Sequence, residues 1–269
     1  MPPKRLCLFA HFDPQGKIEP YVLYYLQCLK ELECDIVFVS SALNLTDSEV
    51  EKILGLCVQV IHRKNITLDF GSWRLGLFEK LSERGFEHYD QLILANDSVY
   101  GPLFPLKDVF QKMEKRELDL WGITSNLEIE EHIQSYFLVF GKNALKSREF
   151  IEFWRDFKYY RSKQRIIELY EIGISRLAMR AGWKMGTLID PNHFQEIDLN
   201  PTLYHWDQLI VELSCPFLKT EVLRLNRTAS KKTAQWKEIL ASKSNYDLNL
   251  IECDIKRRTA RTESNAESS

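Results

Sequence analysis

The chain has 269 residues, of which 45% are hydrophobic and 28% charged, and its formal net charge is −2. This length allows a sizeable core, and the near-neutral charge argues against a nucleic-acid binder, which normally carries a basic excess. No apolar run approaches the roughly 18 residues of a membrane span, and the N-terminal MPPKRLCLFAHFD lacks a signal-peptide cleavage site. The six cysteines form no CxxC pair, so we expect free thiols and a cytoplasmic protein.

Strands and helices alternate three times across the first hundred residues. We predict strands over 5–12, 35–42 and 58–64, and a fourth in QLILANDS (91–98). Between them, apolar residues recur at helical spacing over 18–32, a helix start precedes 47–55, and a third helix over 70–85 ends at a glycine. This alternation favours a mostly parallel sheet with right-handed crossovers.

The remaining residues complete a single predicted domain. Residues 105–116 have a helical pattern, ELDLWGITS leads into a strand at 135–141, and helices follow in SREFIEFWRDF and RIIELYEIGISRLAMRAG. Residues 257–269 are polar and lack large apolar side chains, so we predict a disordered tail there. With no internal repeat and no glycine-serine linker, we predict one α/β domain over 1–256, with a mostly parallel central sheet flanked by helices.

Polar side chains gather where three of the predicted strands end. In parallel α/β sheets, ligands bind at the carboxyl ends of the strands, and these ends lie along one edge. We therefore expect a binding site at this edge. The polar residues that follow the first, third and fourth strands are His11, Asp13, Arg63, Lys64, Asn65, Asp69, Arg74, Asn96, Asp97 and Ser98.

Each of these residues also has a purely structural interpretation. Asp97 is either an Asx-turn former or an oxygen ligand for a divalent cation that neutralises a diphosphate. Asp69 precedes a predicted helix, so it is either an N-cap or a ligand-binding group. Arg63 and Arg74 either grip phosphate oxygens or belong to a solvated basic patch.

Candidate sugar-binding and catalytic residues occur later in the chain. Trp121 and Thr124 belong to a turn after Asp119, and His132 and Gln134 precede a strand from which they can reach a sugar hydroxyl. Glu171 lies on a predicted helix, where it is either a solvated residue or a general base. The motifs GxSxG, GxxxxGK[ST], GxGxxG and HExxH are absent from the sequence. Their absence argues against the common hydrolases, P-loop proteins, dinucleotide-binding proteins and zinc proteases.

Seven stretches, in order over roughly residues 5–227, resemble the rhamnan synthesis protein F family: LFAHFDPQGKIEPYVLYYLQCL, RKNITLDFGSWRLGL, YDQLILANDSVYGPLFPL, LDLWGITS, IQSYFLVFGKNALKSREFIEFW, YEIGIS and CPFLKTEVLRLN. These proteins are regarded as glycosyltransferases of bacterial cell-surface polysaccharide synthesis. The resemblance implies transfer of a sugar such as rhamnose from a nucleotide-diphosphate donor to a growing glycan.

The chain is also similar to GT-A glycosyltransferases, which implies a GT-A-like fold. Their sheet binds the donor nucleotide at its first strands, and a DxD motif that carries Mn²⁺ or Mg²⁺ ends a later strand. Residues 96–98, NDS, correspond to DxD but contain one acid instead of two, and Thr67 stands where the family pattern has glycine. The donor-binding residues implied in this way are His11, Asp13, Arg63, Asn65, Asp69, Trp73, Arg74, Asn96 and Ser98.

The resemblance also suggests the remaining roles. Asp97 is the implied catalytic and metal-binding acid, Glu171 the base that takes the acceptor proton, and His205 a late metal or phosphate ligand. The acceptor would contact Trp121, Thr124, His132 and Gln134.

Three hypotheses follow from the sequence. The first is a cytoplasmic glycosyltransferase that meets a glycan or lipid-linked acceptor at the inner face of the membrane through peripheral contact. The second is a non-catalytic carbohydrate-binding or assembly subunit, which the single acid in NDS keeps open. The third is a phosphate-ester enzyme such as a phosphatase, although Phe12-Asp13-Pro14 lacks the second acid that it requires.

Overall fold

The computed structural model describes residues 3–64, 67–84, 88–194, 200–226 and 231–266. The strands are β1 (Arg5–His11), β2 (Cys34–Ser40), β3 (Gln59–His62), β4 (Gln91–Asn96), β5 (Val99–Tyr100), β6 (Leu120–Gly122), β7 (Ser125–Asn126), β8 (His132–Ile133), β9 (Phe137–Gly141), β10 (Met185–Thr187) and β11 (Leu218–Lys219). The helices are α1 (Pro20–Glu31), α2 (Asp47–Glu51), α3 (Leu68–Arg84), α4 (Leu106–Glu114), α5 (Lys142–Lys146), α6 (Arg148–Arg155), α7 (Lys163–Ile166), α8 (Ile172–Ala181), α9 (Pro201–Tyr204), α10 (Trp206–Val211), α11 (Thr220–Leu225), α12 (Trp236–Ala241) and α13 (Asn249–Ala266).

Seven strands form the central sheet, in the order β3-β2-β1-β4-β9-β6-β10. β1 pairs in parallel with β2 and β4, and β2 pairs in parallel with β3. β9 is antiparallel to β4 and to β6, so β6 and β10 again run in the direction of β1. The α/β fold with a mostly parallel central sheet, expected from the sequence, is confirmed. Two short ribbons, β5–β11 and β7–β8, lie beside this sheet.

β1 lies at the centre of the sheet because both of its faces are apolar. Phe9 packs on the side of α1, edge-on to Tyr25 at 5.2 Å between ring centroids. Leu8 belongs to the core on the opposite side, together with Trp73 of α3. All four side chains have 0% exposure. A strand covered on both faces reads as a continuous apolar run, which explains why the sequence located it.

Several element boundaries differ from the predictions. The helix expected at 47–55 ends at Glu51, and a π-helical turn, Ile167–Glu171, interrupts the one expected after residue 165. The largest difference is at the C-terminus, where α13 continues to Ala266 and a disordered tail from 257 was expected. Arg257 and Arg258 form ion pairs there, which stabilise the helix despite its polar composition. In the described ranges, no helix is long and apolar enough to span a membrane.

Candidate functional site

The carboxyl ends of the parallel strands bring distant polar residues to one edge of the sheet, which we call the carboxyl edge. The strand register places His11 beside Ser40, and Ala10 beside Asn96. Because β9 is antiparallel, it begins where the parallel strands end, and Phe137 lies opposite Ala95. The residues before β9 therefore belong to the same edge. The other strand that reaches it is β11, whose pairing with β5 follows residues 96–98 directly.

Asn96 is the turn-forming residue of the NDS segment. Its Oδ1 accepts hydrogen bonds from the backbone N–H of Ser98 at 3.2 Å and from the Ser98 hydroxyl at 2.6 Å. Its Nδ2 donates to Oδ2 of Asp69, at the start of α3, at 2.8 Å. Asn96 therefore fixes the loop and also holds a second carboxylate beside Asp97. The Asx-turn considered for Asp97 belongs to Asn96.

Asp97 and Asp69 form an acidic pair in which both residues are partly buried. Oδ2 of Asp97 accepts the backbone N–H of Phe12 at 3.0 Å. Burial raises the pKa of Asp97 to about 6. The pKa of Asp69 is raised to about 7, first by burial and then by the negative charge of Asp97. A carboxylate becomes harder to ionise when it loses water and faces another negative charge, so both acids ionise at a higher pH than a solvated aspartate.

His11 lies at the end of β1 and is buried, with 1% exposure. Its Nε2 donates to the Lys17 carbonyl at 3.1 Å, which leaves Nδ1 to accept from the Ser40 hydroxyl at 3.0 Å. Burial lowers the pKa of His11 to about 4. Its approach to Asp97, 3.9 Å from Nε2 to Oδ2, is therefore not an ion pair at neutral pH. His11 joins the ends of β1 and β2.

Glu171 reaches the same edge from the π-helical turn. Its Oε1 accepts the backbone N–H of Ser135 at 2.9 Å and the Ser135 hydroxyl at 2.8 Å. π-Helical turns of this kind occur frequently at functional sites. The negative charges of Glu171 and Asp69 both act on Lys219 of β11, whose ammonium lies 4.6 Å from the ring centroid of Tyr136.

Asp13 is committed to an ionic network with the C-terminal helix. The carboxylate is 1% exposed and accepts the backbone N–H groups of Gln15 and Lys17, at 2.8 and 3.1 Å. Arg257 bonds its Oδ2 at 2.5 Å, and Arg258 bonds the same oxygen at 3.3 Å. Burial alone would raise the pKa of Asp13, but these donors outweigh it and hold the pKa below its usual range.

The residues on and before α3 that were predicted to bind the nucleotide-sugar donor lie in different environments. Trp73 is wholly buried, and its indole N–H donates to the Ala95 carbonyl at 3.0 Å, so it packs α3 on the sheet and is inaccessible to a donor. Arg74 packs over the ring of Phe78 at 4.5 Å. Arg63 donates to the Ser72 hydroxyl at 3.2 Å. Asn65, also predicted to bind the donor, lies outside the described residues.

The predicted acceptor residues are mostly internal. Trp121 is 3% exposed and lies edge-on to Phe110 in the core. Thr124 donates to Oε1 of Gln134 at 2.7 Å, so its other bond, at 2.8 Å, is donated by the Tyr136 hydroxyl. Trp121 is enclosed in the core and Thr124 makes its hydrogen bonds inside the protein, so direct contact of these two residues with an acceptor stays a prediction.

His132 lines a cavity of about 450 Å³ between β10 and the β7–β8 ribbon. Its Nδ1 donates to the Glu130 carbonyl at 2.7 Å, which leaves Nε2 as an acceptor in the neutral ring. Ser125 lines the same cavity and is 6% exposed, and its hydroxyl has no hydrogen-bond partner among the described residues. Buried hydroxyls are normally bonded, so this one is suited to a ligand. Arg116 and Asp190 add charged groups.

Asp97 and His205 are the residues predicted to hold a metal. In the described part of the chain they do not belong to a common group of metal ligands. His205 bonds Gln208 through Nδ1 at 3.0 Å and stacks on Phe194 at 4.7 Å. Over the described ranges, no group of three or more His, Cys, Asp or Glu side chains could hold a metal ion. Asp69 and Asp97 supply two carboxylates, and Mg²⁺ is normally held by one or two carboxylates together with substrate phosphates and water. These residues therefore do not fit a metal centre built by the protein alone.

Sequence reasoning missed Ser135, Tyr136 and Lys219. Ser135 and Tyr136 lie at the edge because β9 runs against its neighbours, and Lys219 because β11 pairs with β5. One signal in the sequence could have found Lys219. It directly follows the apolar run CPFL, at the point where a buried strand would end.

Comparisons with known proteins agree with the resemblance noted in the sequence. The family model of rhamnan synthesis protein F matches residues 36–265. An uncharacterised protein, y4gN of Sinorhizobium fredii (strain NBRC 101917 / NGR234), is 28% identical over 190 residues, which cover 69% of this chain and 49% of that protein. The chain thus spans about half the length of this relative.

Two solved structures are among those to which this chain is similar. A nucleoside-diphosphate-sugar pyrophosphorylase from Vibrio cholerae RC9 is 14% identical, with a TM-score of 0.45, over 68% of this chain and 90% of that one. Residues 1–349 of TarS from S. aureus are 13% identical, with a TM-score of 0.41, over 88% and 78%. The family model is the stronger finding, because it matches most of the chain, and the chain belongs to the rhamnan synthesis protein F family.

Proposed function

We propose that this chain is a GT-A-like glycosyltransferase that moves a sugar, rhamnose in the first instance, from a nucleotide-diphosphate donor to a hydroxyl group of a growing cell-surface glycan. Family membership supports the reaction class. One observation in the structure carries the proposal further. Asp69, Asp97 and Glu171 come from three distant segments and converge with Lys219 at the carboxyl edge, where parallel α/β sheets bind ligands.

The transfer is a displacement at the anomeric carbon of the donor sugar. Glu171 takes the proton from the acceptor hydroxyl, the acceptor oxygen bonds to the anomeric carbon, and the bond from that carbon to the diphosphate breaks. The electron pair of the broken bond leaves with the nucleoside diphosphate. Two hydrogen bonds from Ser135 fix Oε1 of Glu171, which leaves Oε2 to accept the proton. A general base held in this way loses little entropy when the reaction begins.

The acidic pair is suited to the donor sugar. Hydroxyl groups of a sugar donate to carboxylates, and a buried carboxylate forms stronger hydrogen bonds than a solvated one. Asp97 is fixed by the backbone of Phe12 and Asp69 by Asn96, so each keeps its remaining lone pairs for a ligand. Because both acids titrate near neutral pH, the pair also adjusts its charge to an arriving diphosphate.

The cavity beside His132 is our proposed acceptor site. Its volume of about 450 Å³ lies within the range for small-molecule sites. The Ser125 hydroxyl and His132 are suited to sugar hydroxyls. The segment from His132 to Ser135 links this cavity to Glu171, which bonds Ser135. We propose further that the acceptor is a glycan or lipid-linked glycan met at the cytoplasmic face of a membrane by peripheral contact.

A panel of nucleotide-diphosphate sugars, assayed for nucleotide release with and without Mg²⁺ or Mn²⁺, tests this function. Turnover with at least one donor is expected, and absence of both turnover and binding with every donor would refute the proposal. Asp97→Asn should then lower turnover about 100-fold or more, because the amide still accepts from Phe12 but carries no charge. Asp90→Asn is the matched control. Asp90 directly precedes the start of β4, at the end of the strand remote from Asp97, and it pairs with exposed Lys142.

The non-catalytic alternative loses its main support in the structure. It depended on the single acid in NDS, and Asp69 supplies a second carboxylate at the same place, 2.8 Å from Asn96. Binding of a glycan without any donor turnover would restore that alternative.

A further inference from the structure

We propose that Lys219 binds the diphosphate of the nucleotide donor and supplies the positive charge that stabilises the leaving group. This inference rests on the proposed function and assigns a role to a residue that neither the sequence motifs nor the family resemblance singled out. It rests on the position of Lys219, on the absence of an ion pair to it within the described ranges, and on the acids around it.

The backbone of β11 anchors Lys219 to the NDS segment. β11 pairs antiparallel with β5, with Lys219 opposite Val99. The next backbone N–H, that of Thr220, donates to the Ser98 carbonyl at 2.9 Å. On its other side, the ammonium lies 4.6 Å from the ring centroid of Tyr136, and Tyr136 is itself fixed by Thr124. Lys219 is therefore held at the carboxyl edge by a strand and by an aromatic ring.

The Lys219 ammonium makes no hydrogen bond and no ion pair in the described part of the chain, although the side chain is partly buried. Other lysines of this protein do find carboxylates: Lys17 pairs with Glu49 at 2.9 Å, and Lys142 with Asp90 at 2.6 Å. Burial lowers the pKa of Lys219, and the more distant charges of Glu171 and Asp69 raise it again. Removing an unpaired ammonium from water is costly, so stability alone does not explain this residue.

The charges of the site show what the ammonium is suited to bind. A diphosphate that enters beside Asp69, Asp97 and Glu171 meets three acids and needs a compensating cation. The nearby arginines are already engaged, since Arg224 pairs with Asp254 at 2.7 Å and Arg257 with Asp13 at 2.5 Å. The described acids do not form a three-ligand metal group. Lys219 faces Asp69 and Glu171 without an ion pair in the described ranges, so its ammonium is available to the phosphate oxygens.

Its role in the transfer follows from the charge that develops. When the bond between the anomeric carbon and the phosphate oxygen breaks, negative charge grows on that oxygen. A fixed cation beside it stabilises the transition state more than the ground state, which is the requirement for catalysis. Tyr136 holds the ammonium without neutralising it, because a ring face attracts a cation but carries no net charge.

The test measures binding without turnover. Titration calorimetry in EDTA compares wild type and Lys219→Met with UDP, GDP and dTDP and with the matching monophosphates. Wild type should bind at least one diphosphate, and Lys219→Met should weaken that binding about tenfold or more while changing monophosphate binding much less. Lys30→Met is the matched control, because Lys30 is exposed near the end of α1, at the opposite edge of the sheet.

The outcomes distinguish the proposed glycosyltransferase function from the proposed role of Lys219. If wild type binds no nucleotide in EDTA, the inference fails, because the Lys219 ammonium then does not hold a diphosphate without a metal; the proposed function is judged separately by the turnover assay with Mg²⁺ or Mn²⁺. If wild type binds but Lys219→Met binds the diphosphate equally well, or loses both ligands equally, the inference alone is overturned. The melting temperature of the free Lys219→Met variant should equal or exceed that of wild type, since an unpaired ammonium is removed. If it falls, Lys219→Arg decides instead, and should keep most diphosphate binding.

Discussion

Asn96 donates a hydrogen bond of 2.8 Å from Nδ2 to Oδ2 of Asp69, across 27 positions of sequence. The bond explains how the NDS segment works with one acid of its own. Asn96 occupies the place of a second acid and recruits one from the start of α3. The resulting pair, Asp69 and Asp97, is contributed by two elements, so its geometry depends on the packing of α3 against β4 and on Trp73, which bonds the Ala95 carbonyl.

Asn96→Asp should convert this edge into a cation-dependent site. The variant places a third carboxylate against Asp69 and Asp97 and removes the donor that Nδ2 provides to Asp69. Repulsion among three buried acids should lower the melting temperature in EDTA, and Mn²⁺ should restore it, because three carboxylates form an oxygen-ligand set. Differential scanning fluorimetry measures both effects. Wild type is the control and should shift little with Mn²⁺; equal shifts in the two proteins would contradict this reading of the site.

Asp69→Asn should stabilise the protein at alkaline pH. In the folded protein the pKa of Asp69 is about 7, above the usual value of 3.8. Between these values the folded state binds more protons than the unfolded state, so the stability contributed below pH 4 is lost as pH rises to about 7. An amide at this position removes that loss and still accepts from Asn96. Urea unfolding should show a gain of about 1–3 kcal/mol at pH 8 and a smaller difference at pH 4.

Asp90→Asn is the control for this measurement, because we expect the opposite sign for its change in unfolding free energy at pH 8. A hydrogen bond from Lys142 holds the pKa of Asp90 below its usual range, so its ionised form favours the folded state. The control should therefore show no gain at pH 8. A pH-independent effect of Asp69→Asn would show that the pKa of Asp69 is the same in the folded and unfolded states, and would contradict the raised pKa.

The sequence predicted those site residues whose positions depend on local patterns. β1 and β4 are continuous apolar runs, so the sequence alone placed His11 and Asp97 at their ends. It did not place Lys219, because that position depends on the pairing of β11 with β5, about 120 residues apart. Trp73 was assigned to the donor because the segment around it resembles the donor-binding segment of GT-A enzymes, but the helical phase of α3 turns it into the core.

Glu171→Gln should abolish base catalysis while leaving the site intact. Glutamine keeps an oxygen that accepts both hydrogen bonds from Ser135, so the π-helical turn and β9 should remain in place. Loss of a general base lowers kcat about 10²- to 10⁴-fold, with little change in donor KM. Steady-state kinetics with saturating acceptor gives both constants. Glu168→Gln, on the exposed side of the same turn, is the control and should retain wild-type kcat.

Removal of residues 257–269 should destabilise the protein, although these residues have the composition of a tail. Asp13 is 1% exposed and would lose both guanidinium partners, keeping only its two backbone donors. An uncompensated buried carboxylate costs about 2–4 kcal/mol, which urea unfolding can measure at pH 7. The cost should shrink as pH falls, because Asp13 has a lowered pKa in the intact protein and its stabilising contribution is lost on protonation.

The matched control ends the chain after Thr259 and so retains Arg257 and Arg258. It should keep nearly all of the wild-type stability, because both arginines still reach Asp13 and Arg258 still bonds Asp254 at 2.8 Å. The comparison separates the ion pairs from the mere length of α13. If the two truncations unfold at the same urea concentration, the arginines do not stabilise this edge; if only the shorter chain is weakened, the C-terminal helix helps to build the site through Asp13.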